Sequence, residues 1–159
     1  MNIRIGNEAD LMFIREMLFE AFFWDLEIPR SNLDKFFANP EYKKLLLGWG
    51  RLGDKSFVAE EGQRPIGAAW YRLWDEENHS YGFIDSNTPE LGIGVKAKYR
   101  SKGVGRLLLR ALIKSACDDG FKALSLSVDP SNFARQLYES EGFVKDGESG
   151  TSWTLKLEL

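Results

Sequence analysis

The chain has 159 residues, 43% of them hydrophobic, and its 24 acidic and 21 basic side chains give a net charge of −3. That length and apolar content suit a single domain, residues 1–159, with a full core, and the slight acidity opposes a general affinity for nucleic acid. One Cys and one His exclude an internal disulfide framework and argue against a structural zinc site. With no signal-peptide pattern and no apolar run of membrane length, we expect a cytoplasmic protein with no metal and no membrane partner.

In chain order, Asn2–Ile5 alternates as a short strand, turned by Gly6-Asn7. Glu8–Trp24 has helical spacing through Leu11, Ile14, Leu18 and Phe22, while Met12, Phe13, Met17, Phe19 and Phe23 widen its apolar surface beyond one stripe. The excess fits core first, and otherwise a partner contact or the wall of a pocket. Pro29 and Ser31 open a helical stretch through about Phe37, and Pro40 restarts it through about Leu47. Lys55–Glu60 and Pro65–Leu73 flank Glu61-Gly62-Gln63-Arg64 as a hairpin. A polar loop, Asp75–Ser80, leads to Tyr81–Asp85, which reads as the start of a strand.

A strand over Leu91–Val95 precedes a helix from Val104 to Cys117, closed by Gly120. That helix is expected to bury Val104, Leu107, Leu108, Ala111, Leu112 and Ser115. Cys117, with no His near it in sequence, reads as a buried small hydrophobe rather than a nucleophile. Ala123–Val128 alternates as a strand, Asp129-Pro130-Ser131 starts a helix that stops at Gly142, and Thr151–Leu159 alternates as the last strand. Strand, helix and strand in succession make a right-handed crossover between parallel neighbours. The expected class is α+β: a mixed, mostly antiparallel sheet of about six to seven strands with one parallel pair and helices on both faces.

The chemistry concentrates after Glu90. No Asp or Glu occurs from Leu91 to Cys117, but Lys96, Lys98, Arg100, Lys102, Arg106, Arg110 and Lys114 do, leaving 14 basic against 24 acidic residues elsewhere, a remainder of −10. A basic patch confined to one loop and helix on an acidic chain suits one local anionic ligand rather than a nucleic-acid track. Within it, Arg100-Ser101-Lys102-Gly103-Val104-Gly105 carries the form RxxGxG between a strand and a helix. Such a turn offers consecutive N–H groups and a helix N-terminus to phosphate. Two other glycine runs are decoys. Gly48–Gly53 spells GxGxxG but follows a helical stretch and precedes a strand, the reverse of the dinucleotide order. Gly92-Ile93-Gly94 lies inside a strand, where glycine marks a bulge or a close backbone approach.

A second cluster lies one strand downstream: Val128, Asn132, Ala134, Tyr138 and Gly142-Phe143. With Val95, Tyr99-Arg100, Gly103 and Gly105 before it, the order and spacing resemble the GCN5-related N-acetyltransferase (GNAT) superfamily. The match covers about residues 90 to 143. Ala97 and Ser101 stand where the family often has Pro and Gly, and neither change removes a backbone donor. The resemblance implies a GNAT fold whose parallel pair is splayed, and acetyl-CoA-dependent acyl transfer to an amine. Backbone of Ile93, Gly94 and Val95 would take the pantetheine arm of coenzyme A, and the amides of Arg100, Ser101, Lys102, Gly103, Val104, Gly105 and Arg106 its pyrophosphate. Asn132 would contact pantetheine, or only satisfy backbone at a helix start. Tyr138 would be the acid that donates to the leaving sulfur, against a plain core aromatic. Glu90 would be the base, against a solvated strand-edge carboxylate.

The resemblance thus implies a transferase acting by direct attack in a ternary complex on a small-molecule or peptide amine. A non-catalytic acyl-CoA-binding sensor or recruitment module is the alternative. Asp25, Glu27, Asp75, Glu76 and Glu77 are expected to flank the cleft, which would favour a cationic acceptor such as a polyamine, an aminoglycoside or a lysine-bearing peptide. Trp70 and Trp74 are expected to be packing aromatics before they are cleft residues. His79 is expected to be exposed. The broad first helix and the C-terminal strand permit a homodimer.

Overall fold

The computed structural model describes all 159 residues. Its strands are β1 (Asn2–Ile5), β2 (Lys55–Glu61), β3 (Arg64–Arg72), β4 (Glu90–Val95), β5 (Ala123–Val128), β6 (Val144–Ser149) and β7 (Ser152–Glu158). They form one seven-stranded sheet in the order β1-β2-β3-β4-β5-β7-β6, antiparallel except for β4 and β5. Register pairing between that parallel pair is confined to Glu90 and Ser125, so the two strands part company beyond it. The helices are α1 (Leu11–Phe22), α2 (Leu33–Phe37), α3 (Pro40–Lys43), α4 (Val104–Asp118) and α5 (Ala134–Ser140).

Two cores lie on opposite faces of the sheet. β3 shows why its sequence is almost continuously apolar: Ala68 and Trp70 enter the core with α1 and α2, while Ala69 and Tyr71 enter the core with α4. A strand buried on both faces cannot alternate. The broad apolar surface of α1 is explained the same way. Ile14, Met17, Leu18 and Phe19 are buried, and a second aromatic cluster from Phe36, Phe37 and Tyr42 covers the next face, with Phe36 and Tyr42 stacked at 4.4 Å. Asn7 and Asp10 form a capping box on a 3-10 turn (Glu8–Asp10), so α1 starts at Leu11, three residues later than expected.

Several expectations are corrected. Tyr81–Asp85 is not a strand: its polar groups close turns, Phe83 N–H donating to the Ser80 carbonyl and Thr88 N–H to that of Asp85. Gly82 lies flat against β5, where a Cβ would come within 2.8 Å of Ser127 N. α3 ends at Lys43 instead of continuing to Leu47, and turns follow. α5 begins at Ala134, because Asp129 commits its carboxylate to the Ser131 N–H and hydroxyl. Val144–Ser149 is a strand despite its polar sequence, since pairing with β7 alone holds it. On α4 the buried face is Val104, Leu108, Leu109, Leu112 and Ala116; Leu107 is 42% exposed and Cys117 is an exposed free thiol. Cys117 sits one residue, about 100° of helix, past Ala116.

The reversed GxGxxG run has a structural occupation. Gly48, Gly50 and Gly53 have φ of 68°, 108° and 91°, values that only glycine adopts freely. The chain they bend aims Gly50 and Arg51 N–H at Asp54 Oδ2 (2.9 and 3.0 Å). Asp54 in turn accepts two hydrogen bonds from Arg72, both 2.9 Å, with the two side chains 1% and 2% exposed. Arg72 also donates to the Leu47 carbonyl at 2.8 Å and lies over the Trp49 and Trp74 rings.

Candidate active site

A cleft of about 1050 Å³ opens where β4 and β5 separate. One end of it begins at the RxxGxG turn. Ser101 (φ 61°) and Gly103 (φ 86°) are both left-handed, which reverses the chain sharply enough for α4 to start at Val104. Gly103 has no side chain to cap the helix, so the first N–H groups of α4 have no protein partner. Arg100, Ser101, Gly103, Gly105 and Arg106 line the cleft. Lys102 and Val104 do not: Lys102 is exposed with its ammonium over the Tyr99 ring, and the Val104 side chain is in the core. Because a non-glycine residue is strained at left-handed φ, Ser101→Gly should raise stability by about 0.5–1 kcal/mol. The check is a higher urea midpoint at constant slope; a lower midpoint would show that the Ser101 side chain makes a contact worth more than the strain.

The arginines of this turn work mainly as anchors. Arg100 Nε–H donates to the Val95 carbonyl (3.0 Å), and its Nη2 reaches Glu20 Oε2 (3.2 Å), tying the turn to both β4 and α1. Arg30 holds the same carboxylate through two hydrogen bonds. Arg30 first, then the Arg100 charge, keep Glu20 below the usual carboxylate range against its burial. Arg106 and Arg110 both hold Glu141 Oε1, which fixes the start of α4 to the end of α5 and so places Tyr138 relative to the turn. Glu20 and Glu141 have no sequence signal toward the turn: they are 80 and 35 residues from Arg100 and Arg106.

Ile93, Gly94 and Val95 line the middle of the cleft. Of the two readings of the strand glycines, the bulge is absent, for β3 and β4 stay in register from Gly67↔Val95 to Arg72↔Glu90. Close approach explains the glycines instead: a Cβ on Gly94 would lie 2.2 Å from the Met17 carbonyl oxygen, and one on Gly92 2.8 Å from the Trp70 ring. β4 can therefore run hard against α1 on one face while its edge toward β5 is left unpaired past Glu90.

Glu90 and Tyr138 line the same cleft. Glu90 is not a solvated edge carboxylate. Gly82 N–H donates to its Oε2 (3.2 Å), while Oε1 is buried with no partner. Burial pushes the carboxyl up to about 7, against the Gly82 N–H, the nearby Ser80 hydroxyl and the Lys44 charge. Ser125, its neighbour on β5, likewise has a buried Oγ without a partner. Tyr138 is 7% exposed, its hydroxyl makes no hydrogen bond within the protein, and burial pushes it up to about 12. Its ring packs edge-on against Phe143 at 5.9 Å. Asn132 satisfies backbone at the start of α5, its Oδ1 accepting from the Ala134 N–H (2.9 Å), and it also lines the cleft with its amide NH₂ unused.

At the other end the cleft is walled by Phe22, Trp24, Leu45, Trp70, Trp74 and Tyr81. Trp70 and Trp74 are thus both packing and cleft residues, 5% and 7% exposed. None of Asp25, Glu27, Asp75, Glu76 and Glu77 lines it. Asp25 and Asp75 cap their own turns, at Glu27 N–H and at Glu77 and Asn78 N–H. His79 is exposed and stacks on Phe83.

Comparison with known proteins agrees with this geometry. The model of the Acetyltransferase (GNAT) family matches residues 12–143. No curated protein sequence matches the chain. Among solved structures, a ribosomal-protein-alanine N-acetyltransferase from Brucella melitensis is similar over 100% of both chains at 24% identity and a TM-score of 0.73. The yncA protein of Salmonella typhimurium, solved with its cofactor acetyl-CoA, is 24% identical over 100% of this chain and 94% of its own, with a TM-score of 0.71. The PaiA N-acetyltransferase of Thermoplasma acidophilum, solved in complex with coenzyme A, is 21% identical over 100% of both chains, with a TM-score of 0.73. A family match over most of the chain, on a sheet whose parallel pair parts above a glycine-turned helix, means that this protein belongs to the GNAT family of acetyltransferases.

Proposed function

We propose that the protein transfers the acetyl group of acetyl-CoA to a primary amine by direct attack in a ternary complex. The observation that carries this reading is one cleft lined by two uncommitted proton-transfer groups, the Glu90 carboxyl near 7 and the Tyr138 phenol near 12. The residues present fit the cosubstrate: unpartnered N–H groups at the head of α4 suit a pyrophosphate, and the open edge of β4 at Ile93–Val95 suits an amide-bearing arm. The Asn132 NH₂ adds one more donor on the opposite wall. When bound, acetyl-CoA supplies an activated thioester carbonyl.

Each residue then has a role set by its environment. A carboxyl that titrates near neutrality is half ionised at working pH, so Glu90 accepts a proton from an entering ammonium, directly or through one water, without holding it too tightly. Tyr138 stays protonated across the physiological range and donates from its hydroxyl to the sulfur as charge develops there. Backbone N–H groups of β4 steady the carbonyl oxygen. No acyl-enzyme is needed: Cys117 is exposed on α4 and is not among the cleft residues.

Tyr138→Phe tests the assignment. Because the hydroxyl makes no hydrogen bond in the protein, the fold should keep its melting temperature and its upward shift with acetyl-CoA. Thiol release in the presence of amine should fall by about 10²-fold, the low end for loss of a general acid. A variant with wild-type turnover would remove Tyr138 from the mechanism. Acetyl-CoA binding by the wild type with no transfer to any amine would instead favour a sensor module.

A further inference from the structure

The acceptor's chemistry can be read from the charges of the cleft, on the proposed reading that Glu90 receives an amine. Six charged residues line it, and five are already committed. Arg72 is held by Asp54 and main-chain carbonyls. Glu20 is held by Arg30 and Arg100, which in turn uses that carboxylate and the Val95 carbonyl. Arg106 is taken by Glu141, and Asp129 by the Ser131 N–H and hydroxyl. Among these side chains only Glu90 keeps a buried oxygen with no partner. Asp129 has a second, free oxygen, but the residue follows the C-terminal end of β5, the end at which β4 leads into the RxxGxG turn.

Around this single acid the acceptor end is aromatic. Trp24 is the telling residue. It is half-buried in the irregular chain just after α1, and it belongs to neither core and pairs with no other ring or cation. A large aromatic side chain that packs into no core and faces a cleft is free to stack on a ligand. Trp70 and Tyr81 line the same end, and an ammonium among such rings gains from their quadrupoles, whereas the Trp74 ring is already covered by the Arg51 and Arg72 guanidiniums. The acids Glu41, Asp146 and Glu148 line a different surface pocket, beyond Ser80 and Tyr81, and they share it with Lys44 and His79.

We infer that the acceptor is a primary amine with one positive charge carried on an aromatic or bulky apolar body. A polyamine or aminoglycoside would bring second and third ammonium groups among aromatic walls where Glu90 is the one acid without a cation partner, and leaving such charges desolvated and unpaired is costly. This reverses the polycation preference that the acidic residues of the sequence suggested.

The test is thiol release from acetyl-CoA with tryptamine and 2-phenylethylamine against spermidine and kanamycin, for the wild type and Trp24→Ala. We expect kcat/KM for the two aromatic amines to exceed that for the polycations by at least about tenfold. Trp24→Ala should raise KM for the aromatic amines about fivefold to tenfold, the loss of one aromatic contact, with the KM for acetyl-CoA and the melting temperature unchanged. Faster turnover of spermidine or kanamycin, or an equal effect of Trp24→Ala on every amine, overturns the acceptor class and leaves acetyl transfer standing. A melting shift with acetyl-CoA but no turnover of any amine overturns acetyl transfer itself.

Discussion

Replacing Glu90 with glutamine should lower acetyl transfer by about 10²–10⁴-fold while stabilising the protein above neutral pH. Both effects come from the same burial. The carboxyl titrates at about 7 in the fold against an ordinary 4.5, so the native state holds its proton more tightly than the unfolded chain does. The associated stability is fully present below about 4.5 and is lost as pH rises through 7, where a charged carboxylate must sit with one oxygen unpartnered. The amide of Glu90→Gln does not titrate. The stability of the variant relative to wild type should therefore grow by up to about 3 kcal/mol between about pH 4 and about pH 8. Urea midpoints across that range read the stability, and the pH profile of wild-type kcat, rising through an apparent pKa near 7, reads the base. Unchanged turnover in the variant would dismiss Glu90 as base. A stability difference that stays flat with pH would mean the carboxyl is solvated.

Asp54→Ala should destabilise the fold by about 3–5 kcal/mol, the loss expected when one member of a buried ion pair is removed. Arg72 would keep its carbonyl partners but lose both carboxylate hydrogen bonds while remaining 1% exposed. For a chain of this length the loss corresponds to roughly 10 °C in melting temperature. The damage should be recovered in large part by Asp54→Leu with Arg72→Met, because the destabilisation comes from an uncompensated charge rather than from a missing attraction. A loss below about 1 kcal/mol from Asp54→Ala would mean that water reaches Arg72. The pair also shapes the acceptor end, since Arg72 ties the turns after α3 to β3, beside the Trp49 and Trp74 rings.

The amino-acid order by itself determined the parts of this protein that are local. RxxGxG after an apolar strand specifies a tight turn into a helix, because glycine tolerance of left-handed φ and the free N–H groups of a helix start belong to neighbouring residues. The spacing from Asn132 to Phe143 carried the resemblance by which Tyr138 was singled out. Periodicity also yielded six of the seven strands, and it missed β6, whose polar side chains are held only by backbone pairing with β7. The GxGxxG decoy could be rejected from element order alone, but its real use was hidden until Arg72 and Asp54 met, 18 residues apart.

What only the tertiary structure decided is how each charged group is partnered. An acid's availability depends on which arginine reaches it, and those partners come from distant elements: Arg100 from β4's end to Glu20 on α1, Arg106 from α4 to Glu141 after α5. Asp25, Glu27, Asp75, Glu76 and Glu77 looked like an acidic rim because sequence shows charge without direction, and folding leaves all five outside the cleft. Glu90 could be read from the sequence either as a base or as a solvated strand-end acid; the fold decides, for burial raises its carboxyl even against the Gly82 N–H that donates to it. Burial is a property of packed neighbours, so the carboxyl proposed as the base could be named from the sequence, but its pKa could not.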